Sequence, residues 1–300
     1  INNPTSWKGV TWSGGRVISI EWSDKNLAGE LDLAGFTALQ KVDCSRNQLT
    51  GIEVSGCTAL NTLNVSRNKL STLNIDNCSA LIKLDCYKNR LTDLSLAGLP
   101  GLKNLNCSNN LFVELNVNGA QQLQSLNVQG CHLESLMVDS CENLKNLYCG
   151  YNKLTSLNLF GTVSLSNLNI DDNEIANMVI SKLPSLTSFV CSDNNMKTLG
   201  LLDCTALSDL VCSYNDLTTL SLDGSNNLYF VDCSYNDLTN LDLSNRTMLQ
   251  RLICNNNQLN TLDVSFCPNL VYINCRYNQI IDLRTMGDSN LRMIACQWNY

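Results

Sequence analysis

Leucine recurs every 21 residues, without insertion or deletion, at Leu39, Leu60, Leu81, Leu102, Leu123, Leu144, Leu165, Leu186, Leu207, Leu228, Leu249, Leu270 and Leu291. A fixed period of this length admits few folds. Each repeat must be one coil of a solenoid, burying its apolar side only against the coils before and after it. A chain that never leaves its coil builds no long loops to carry an active site, so it works by its surface.

One repeat, Leu39 to Ala59, shows the division of labour. Val42 and Cys44 point inward with Asp43 outward between them, the period-two alternation of a short strand. Stacked coils set these strands side by side as one parallel sheet. Asn47 opens a second ladder, continued by Asn68, Asn89, Asn110, Asn152 and each later copy to Asn299, with Cys131 as its one interruption. The chain turns here with its backbone polar groups carried inward, and an amide supplies the donors and acceptor that satisfy them from coil to coil. Leu49, Ile52 and Val54 then form a second inward set. The spacing suits a short extended segment, because 21 residues leave little room for a helix beside a strand and two turns.

The pattern LxxLxCxxNxLxxLDL over residues 39–300 resembles the short bacterial leucine-rich repeat class sometimes called IRREKO. The resemblance implies a curved right-handed coil, with a parallel β-sheet on its concave face, short extended segments on its convex face and little or no α-helix. It also implies a bacterial solenoid, often secreted or surface-attached, that binds other macromolecules. The expected location is therefore extracellular or at the cell surface, with the cytoplasm as the alternative.

The expected organisation is a cap segment at 1–16, an imperfect first rung at 17–38, twelve repeats at 39–290 and a partial rung at 291–300. Residues 17–300 would form one continuous domain. In the first rung Val17, Ile20, Trp22 and Leu27 match the first half of the repeat with a one-residue offset, while Leu31, Leu33 and Phe36 match the second half in register. Upstream, Trp7-Lys-Gly-Val-Thr-Trp12 resembles the W-x-G-V segment of extracellular leucine-rich repeat caps. No Cys precedes Cys44, so Trp7 and Trp12 are expected to cover the end of the core by apolar packing. Ile1 in place of an initiator Met points to a mature or trimmed chain.

A net charge of −7 argues against nonspecific nucleic-acid binding. No apolar run approaches the ~18 residues of a membrane-spanning helix, so no membrane insertion is expected. The sixteen cysteines raise disulfides or zinc. Ten occupy the strand column with Cys44, five the second column with Cys57, and Val65, Val128 and Ile170 replace Cys in the former. This is the behaviour of a small buried hydrophobe. Stacked parallel side chains keep Cβ atoms near the ~4.8 Å strand spacing, wider than the ~3.8 Å of a disulfide, so free thiols are expected.

The one histidine, His132, follows Cys131. Cys131 should point inward and His132 outward, which makes a structural substitution far more plausible than a catalytic pair. No catalytic residue, cofactor or metal site is assigned, and the chain is not expected to be an enzyme. The acidic group Asp171, Asp172, Glu174 and Asp193 invites calcium, but charges at a turn ordinarily form a solvated edge.

Function is better sought on the outward strand columns. The column at the strand exit reads Arg46, Arg67, Lys88, Asn109, Gly130, Tyr151, Asp172, Asp193, Tyr214, Tyr235, Asn256, Tyr277 and Trp298. Nothing in the repeat demands aromatics there. Neighbouring columns add Tyr148, Phe230, Arg251, Tyr272 and Arg276, a mixture typical of protein-interface hot spots. These ten residues, Tyr148, Tyr151, Tyr214, Phe230, Tyr235, Arg251, Tyr272, Arg276, Tyr277 and Trp298, form the candidate ligand-binding set. A protein or carbohydrate ligand on the concave face is the leading expectation, and an adhesive module acting through weak self-association is the runner-up. Toward the N-terminal end Lys41, Arg46, Arg67, Lys83 and Lys88 make a basic strip interleaved with Asp43 and Asp85, for which cross-strand charge pairing is the expected account.

Overall fold

The computed structural model describes residues 7–118, 120–285 and 290–299. The chain divides into two compact units wound from the same coil, Ile1–Asn152 with Asn158–Thr162, and Lys153–Leu157 with Val163–Tyr300. No α-helix occurs among the described residues.

The first unit opens with an antiparallel hairpin of β1 (Val10–Ser13) and β2 (Arg16–Glu21). Gly14 and Gly15 make its two-residue turn with φ of 55° and 75°, the paired left-handed geometry that matches strand twist. β2 then pairs in parallel with β4 (Lys41–Asp43), which pairs with Thr62–Asn64, and that with Lys83–Asp85. The register is the sequence period itself, Val42 opposite Leu63 and Leu63 opposite Leu84. In the second unit the same ladder runs from Asn167–Asn169 through Asp209–Val211 and Arg251–Ile253 to Met293–Ala295. Three residues per rung suffice, since the middle one enters the core and its neighbours face out. Segments from the second half pair more sparsely, as in Asn177–Ser181 with Thr198–Leu202.

Leu39, Leu60, Leu81, Leu123, Leu144, Leu165 and Leu186 are fully buried, as are the larger Phe112 and Phe189. Each such side chain contributes about 1.5–3 kcal/mol through removal from water. The Asn column ties each coil to the one before it. Asn68 Oδ1 accepts from the Leu49 N–H at 2.9 Å, while its Nδ2 donates to the Cys44 and Val65 carbonyls, both at 3.0 Å. Asn89, Asn215, Asn236, Asn257 and Asn278 repeat the arrangement.

Where the column lacks Asn, the turn changes. Gly130 and His132 are both left-handed, and the Cys131 and Leu133 N–H groups converge on Asn152 Oδ1 at 3.0 and 2.9 Å. The first rung, with Lys25 in this place, does the same. Asp24 and Asn26 are left-handed, and the Lys25 and Leu27 N–H groups share Asn47 Oδ1. The one-residue offset of that rung is absorbed by a bulge between Gly29 and Glu30, where β3 (Ala28–Asp32) pairs with β5 (Gln48–Glu53).

Two sequence expectations need adjusting. The end of the first sheet is finished by the extra strand β1, with Trp7 edge-on to Trp12 at 6.4 Å. Trp7 itself stays 53% exposed, so it is no full lid. No disulfide joins the sixteen cysteines, but those of the second column do more than fill space. The Cys57 and Cys78 thiols donate to the Leu33 and Val54 carbonyls of the preceding coil, at 3.1 and 3.2 Å. In the same column Arg246 is buried and donates from Nη2 to the Leu222 carbonyl at 2.9 Å, a substitution whose burial nothing in the repeat anticipates.

Candidate binding site on the outward face of the strands

Every residue of the strand-exit column described above is left-handed. The φ values are 55° at Arg46, Arg67 and Lys88, 56° at Tyr151, 54° at Tyr214 and Tyr235, 52° at Tyr277 and 60° at Trp298. Gly and Asn take this conformation readily, whereas a bulky L-residue gives up about 1–2 kcal/mol there. Local preference would therefore fill the column with Gly and Asn, as at Gly130, Asn109 and Asn256. Tyrosine and tryptophan sit there against it. Side chains held against such a local preference are candidates for function.

In the second unit the aromatics are paired. The Tyr214 and Tyr235 rings stack with centroids 4.3 Å apart and planes 9° from parallel. Tyr277 and Trp298 stack at 4.6 Å and 2°. Asn256 separates the two pairs along the column. All four rings remain open to solvent, from 44% at Tyr235 to 64% at Trp298. Desolvation, then the hydrogen bond to Tyr235, push the Tyr214 phenol above its ordinary pKa.

On the adjoining strand column Arg251 lies between two rings on neighbouring rungs, 5.3 Å from the Phe230 centroid and 5.8 Å from that of Tyr272. Such contacts hold the guanidinium plane upright while leaving its edge donors available. Arg276 donates from Nε to Gln297 Oε1, which fixes it beside Tyr277. Val211 and Ile253 are half-buried between these columns, and Met293 is exposed. The face thus offers rigid aromatic edges, fixed cationic donors and apolar floor. Eight of the ten sequence candidates fall in this unit. Tyr148, half-buried in strand Asn146–Tyr148, and the exposed Tyr151 belong to the first unit.

The Cys131–His132 neighbours do not meet as a reactive pair. Cys131 is buried, donates to the Cys107 carbonyl at 3.3 Å, and burial pushes its thiol up to about 11. His132 is exposed.

Charge pairing, in contrast, accounts for only part of the basic strip of the first unit. Lys41 meets Glu21 at 2.7 Å. Among the described residues, Arg46, Arg67, Lys83 and Lys88 have no carboxylate at ion-pair distance. The interleaved acids are occupied locally: Asp43 Oδ1 accepts from the Ser45 N–H and hydroxyl at 3.0 and 2.7 Å, and Asp85 Oδ1 from the Tyr87 N–H at 3.1 Å. Sequence spacing shows which charges alternate, but not which oxygens a turn has already claimed.

No protein-family model matches the sequence. A search of curated proteins returns no match. Solved structures do match. The functional domain of InlJ from Listeria monocytogenes, whose description notes a cysteine ladder, superposes with a TM-score of 0.66 at 25% identity, over 93% of this chain and 67% of that one. A leucine-rich repeat protein of Leptospira interrogans gives 0.72 at 21% identity, over 93% and 84%. The Arabidopsis receptor kinase HAESA, solved with the peptide hormone IDA and the co-receptor SERK1, gives 0.63 at 20% identity, over 99% and 65%. The fold is that of a leucine-rich repeat solenoid.

Proposed function

We propose that this chain is a non-catalytic recognition scaffold that holds a protein ligand on the outward, concave face of its strands. The observation that carries the reading is the set of stacked Tyr214–Tyr235 and Tyr277–Trp298 pairs at left-handed positions, where the backbone favours small residues. Pre-stacked rings lose little freedom on binding, and aromatic plus Arg anchors dominate the energetics of protein interfaces. HAESA, of the same fold, is solved in complex with a peptide hormone. The apolar floor of Val211 and Ile253 favours a protein or peptide over a sugar chain. We further propose the short 21-residue bacterial class for this chain, and an extracellular or surface location with it.

Peptide display on the whole chain tests the reading. Selected peptides should lose most of their affinity for a variant carrying Tyr214→Asn, Tyr235→Asn and Tyr277→Asn, which folds because Asn256 already occupies the same column. They should bind normally to a variant with Ser at Thr239, Asn240 and Asn260, on the exposed second half of the coil. Equal binding to the tyrosine variant would move the functional face elsewhere. Sedimentation checks the self-association reading, which requires a concentration-dependent dimer that the tyrosine substitutions abolish.

A further inference from the structure

The basic column of the first unit is a different surface. Arg46, Arg67 and Lys88 stand on three successive rungs, exposed and left-handed, their backbones repeating at about the 4.8 Å strand spacing. Their backbones are fixed: the three N–H groups donate to Ser66, Tyr87 and Ser108 carbonyls of the following rungs at 2.9, 2.7 and 2.9 Å. Like charges held this close repel, and the left-handed backbone favours the Asn found on the next rung at Asn109. Two local costs are thus borne on the same three residues. Among the described residues no carboxylate lies at ion-pair distance from any of the three. Arg67 is steadied over the Tyr87 ring at 5.3 Å.

The surroundings name the partner's chemistry. Beside the cations the strand columns are polar: Asn104 is exposed, Thr62, Asn64 and Asn106 are half-buried with Asn64 and Asn106 bonded through Oδ1 to Ser66 and Ser108, and Tyr87 is the single aromatic in the strand columns of these four rungs. That face lacks the apolar anchors a protein interface needs. A single-stranded nucleic acid needs aromatic faces on which its bases stack, and Tyr87, already covered by Arg67, is the one aromatic the strand columns of these rungs offer. A partner that is polyanionic, hydroxyl-rich and poor in apolar groups remains. We propose that the rungs of Arg46, Arg67 and Lys88 bind an acidic polysaccharide, its anionic groups along the three cations and its hydroxyls against the neighbouring amides.

Calorimetric titration of the whole chain tests this with oligogalacturonate, dextran sulfate, uncharged dextran, poly-glutamate and a single-stranded oligodeoxythymidylate. An acidic glycan should bind in a salt-sensitive manner and more tightly than the other three probes. The stronger of oligogalacturonate and dextran sulfate identifies carboxylate or sulfate as the anion. A variant with Arg46→Asn, Arg67→Asn and Lys88→Asn should bind about tenfold or more weakly, the combined effect of three screened surface contacts. A variant with Lys153→Asn, Lys182→Asn and Lys197→Asn removes the same charge from other exposed positions and should bind as the parent does. The Asn substitutions suit a left-handed column, and circular dichroism confirms that both variants fold. Binding of neither acidic glycan, tighter binding of poly-glutamate or the oligonucleotide, an unaffected first variant, or equal loss in both variants would each overturn the proposal.

Discussion

Replacing Asn215 by Ala tests the inter-coil ladder at a single position. Asn215 Oδ1 accepts from the Met196 N–H at 3.0 Å, and its Nδ2 donates to the Cys191, Cys212 and Ser213 carbonyls at 3.0, 3.3 and 3.2 Å. The carbonyls keep other partners: Asn194 Nδ2 still reaches Cys191, Asn236 Nδ2 still reaches Cys212, and the Asp193 N–H still reaches Ser213. The Met196 N–H loses its acceptor. An unsatisfied buried donor costs about 1–3 kcal/mol, and the lost amide bonds add about 1 kcal/mol. The expected loss is therefore about 2–4 kcal/mol, a large share of the ~5–15 kcal/mol typical of folded proteins. Urea denaturation reads the total. Hydrogen exchange locates it, because the damage should fall in the preceding coil. The Met196 amide should lose protection while the Ile175 amide, held by Asn194 Oδ1 at 3.0 Å, keeps its own. A loss below about 0.5 kcal/mol, or equal protection at the two amides, would refute the ladder as a source of stability.

Three other outcomes follow from the same geometry. Cys212→Val should be nearly silent, since Val65 and Val128 fill that column, whereas Cys57→Val should cost about 1 kcal/mol by removing the thiol donor to Leu33; equal effects in denaturation would erase the distinction between the two cysteine columns. Burial raises the Cys44 thiol to about 12 and Cys78 and Cys275 to about 11, so unfolded thiols ionise first as pH rises. Stability should hold below about pH 8.5 and fall between there and pH 12, by ~1.4 kcal/mol per pH unit for each thiol still protonated in the fold; a flat alkaline profile would contradict this. A double-mutant cycle on Tyr214 and Tyr235, each replaced by Asn, should give a coupling of about 0.5–1.5 kcal/mol from the stacked rings, and additive effects would show the stack contributes nothing.

The leucine period specified the strand register, because a fixed repeat allows one alignment and Val42–Leu63–Leu84 follow it without a slip. The candidate residues were legible as a column, yet their conformation was not. A left-handed site is recognised in sequence by Gly or Asn, and here Arg, Lys and Tyr occupy most rungs. Stacking of Tyr214 on Tyr235 follows from that shared backbone and was readable only as adjacency. The unpaired state of Arg46, Arg67 and Lys88 escaped because it depends on where Asp43 and Asp85 turn their oxygens. The hairpin at Gly14-Gly15 carried its own signal, two glycines between alternating segments, and the first-rung offset needed only a bulge to explain it.

The buried thiols make the life of this fold depend on time spent open. While closed, stacked cysteines face one another across parallel strands whose ~4.8 Å spacing discourages a disulfide. An opened coil returns them to an ordinary pKa of about 8.5, where they exchange with any disulfide in the medium. A bond made then does not fit the coil that must re-form. In an oxidising medium each transient opening risks becoming permanent, so durability is governed by the rate of opening rather than by the free energy of the closed state.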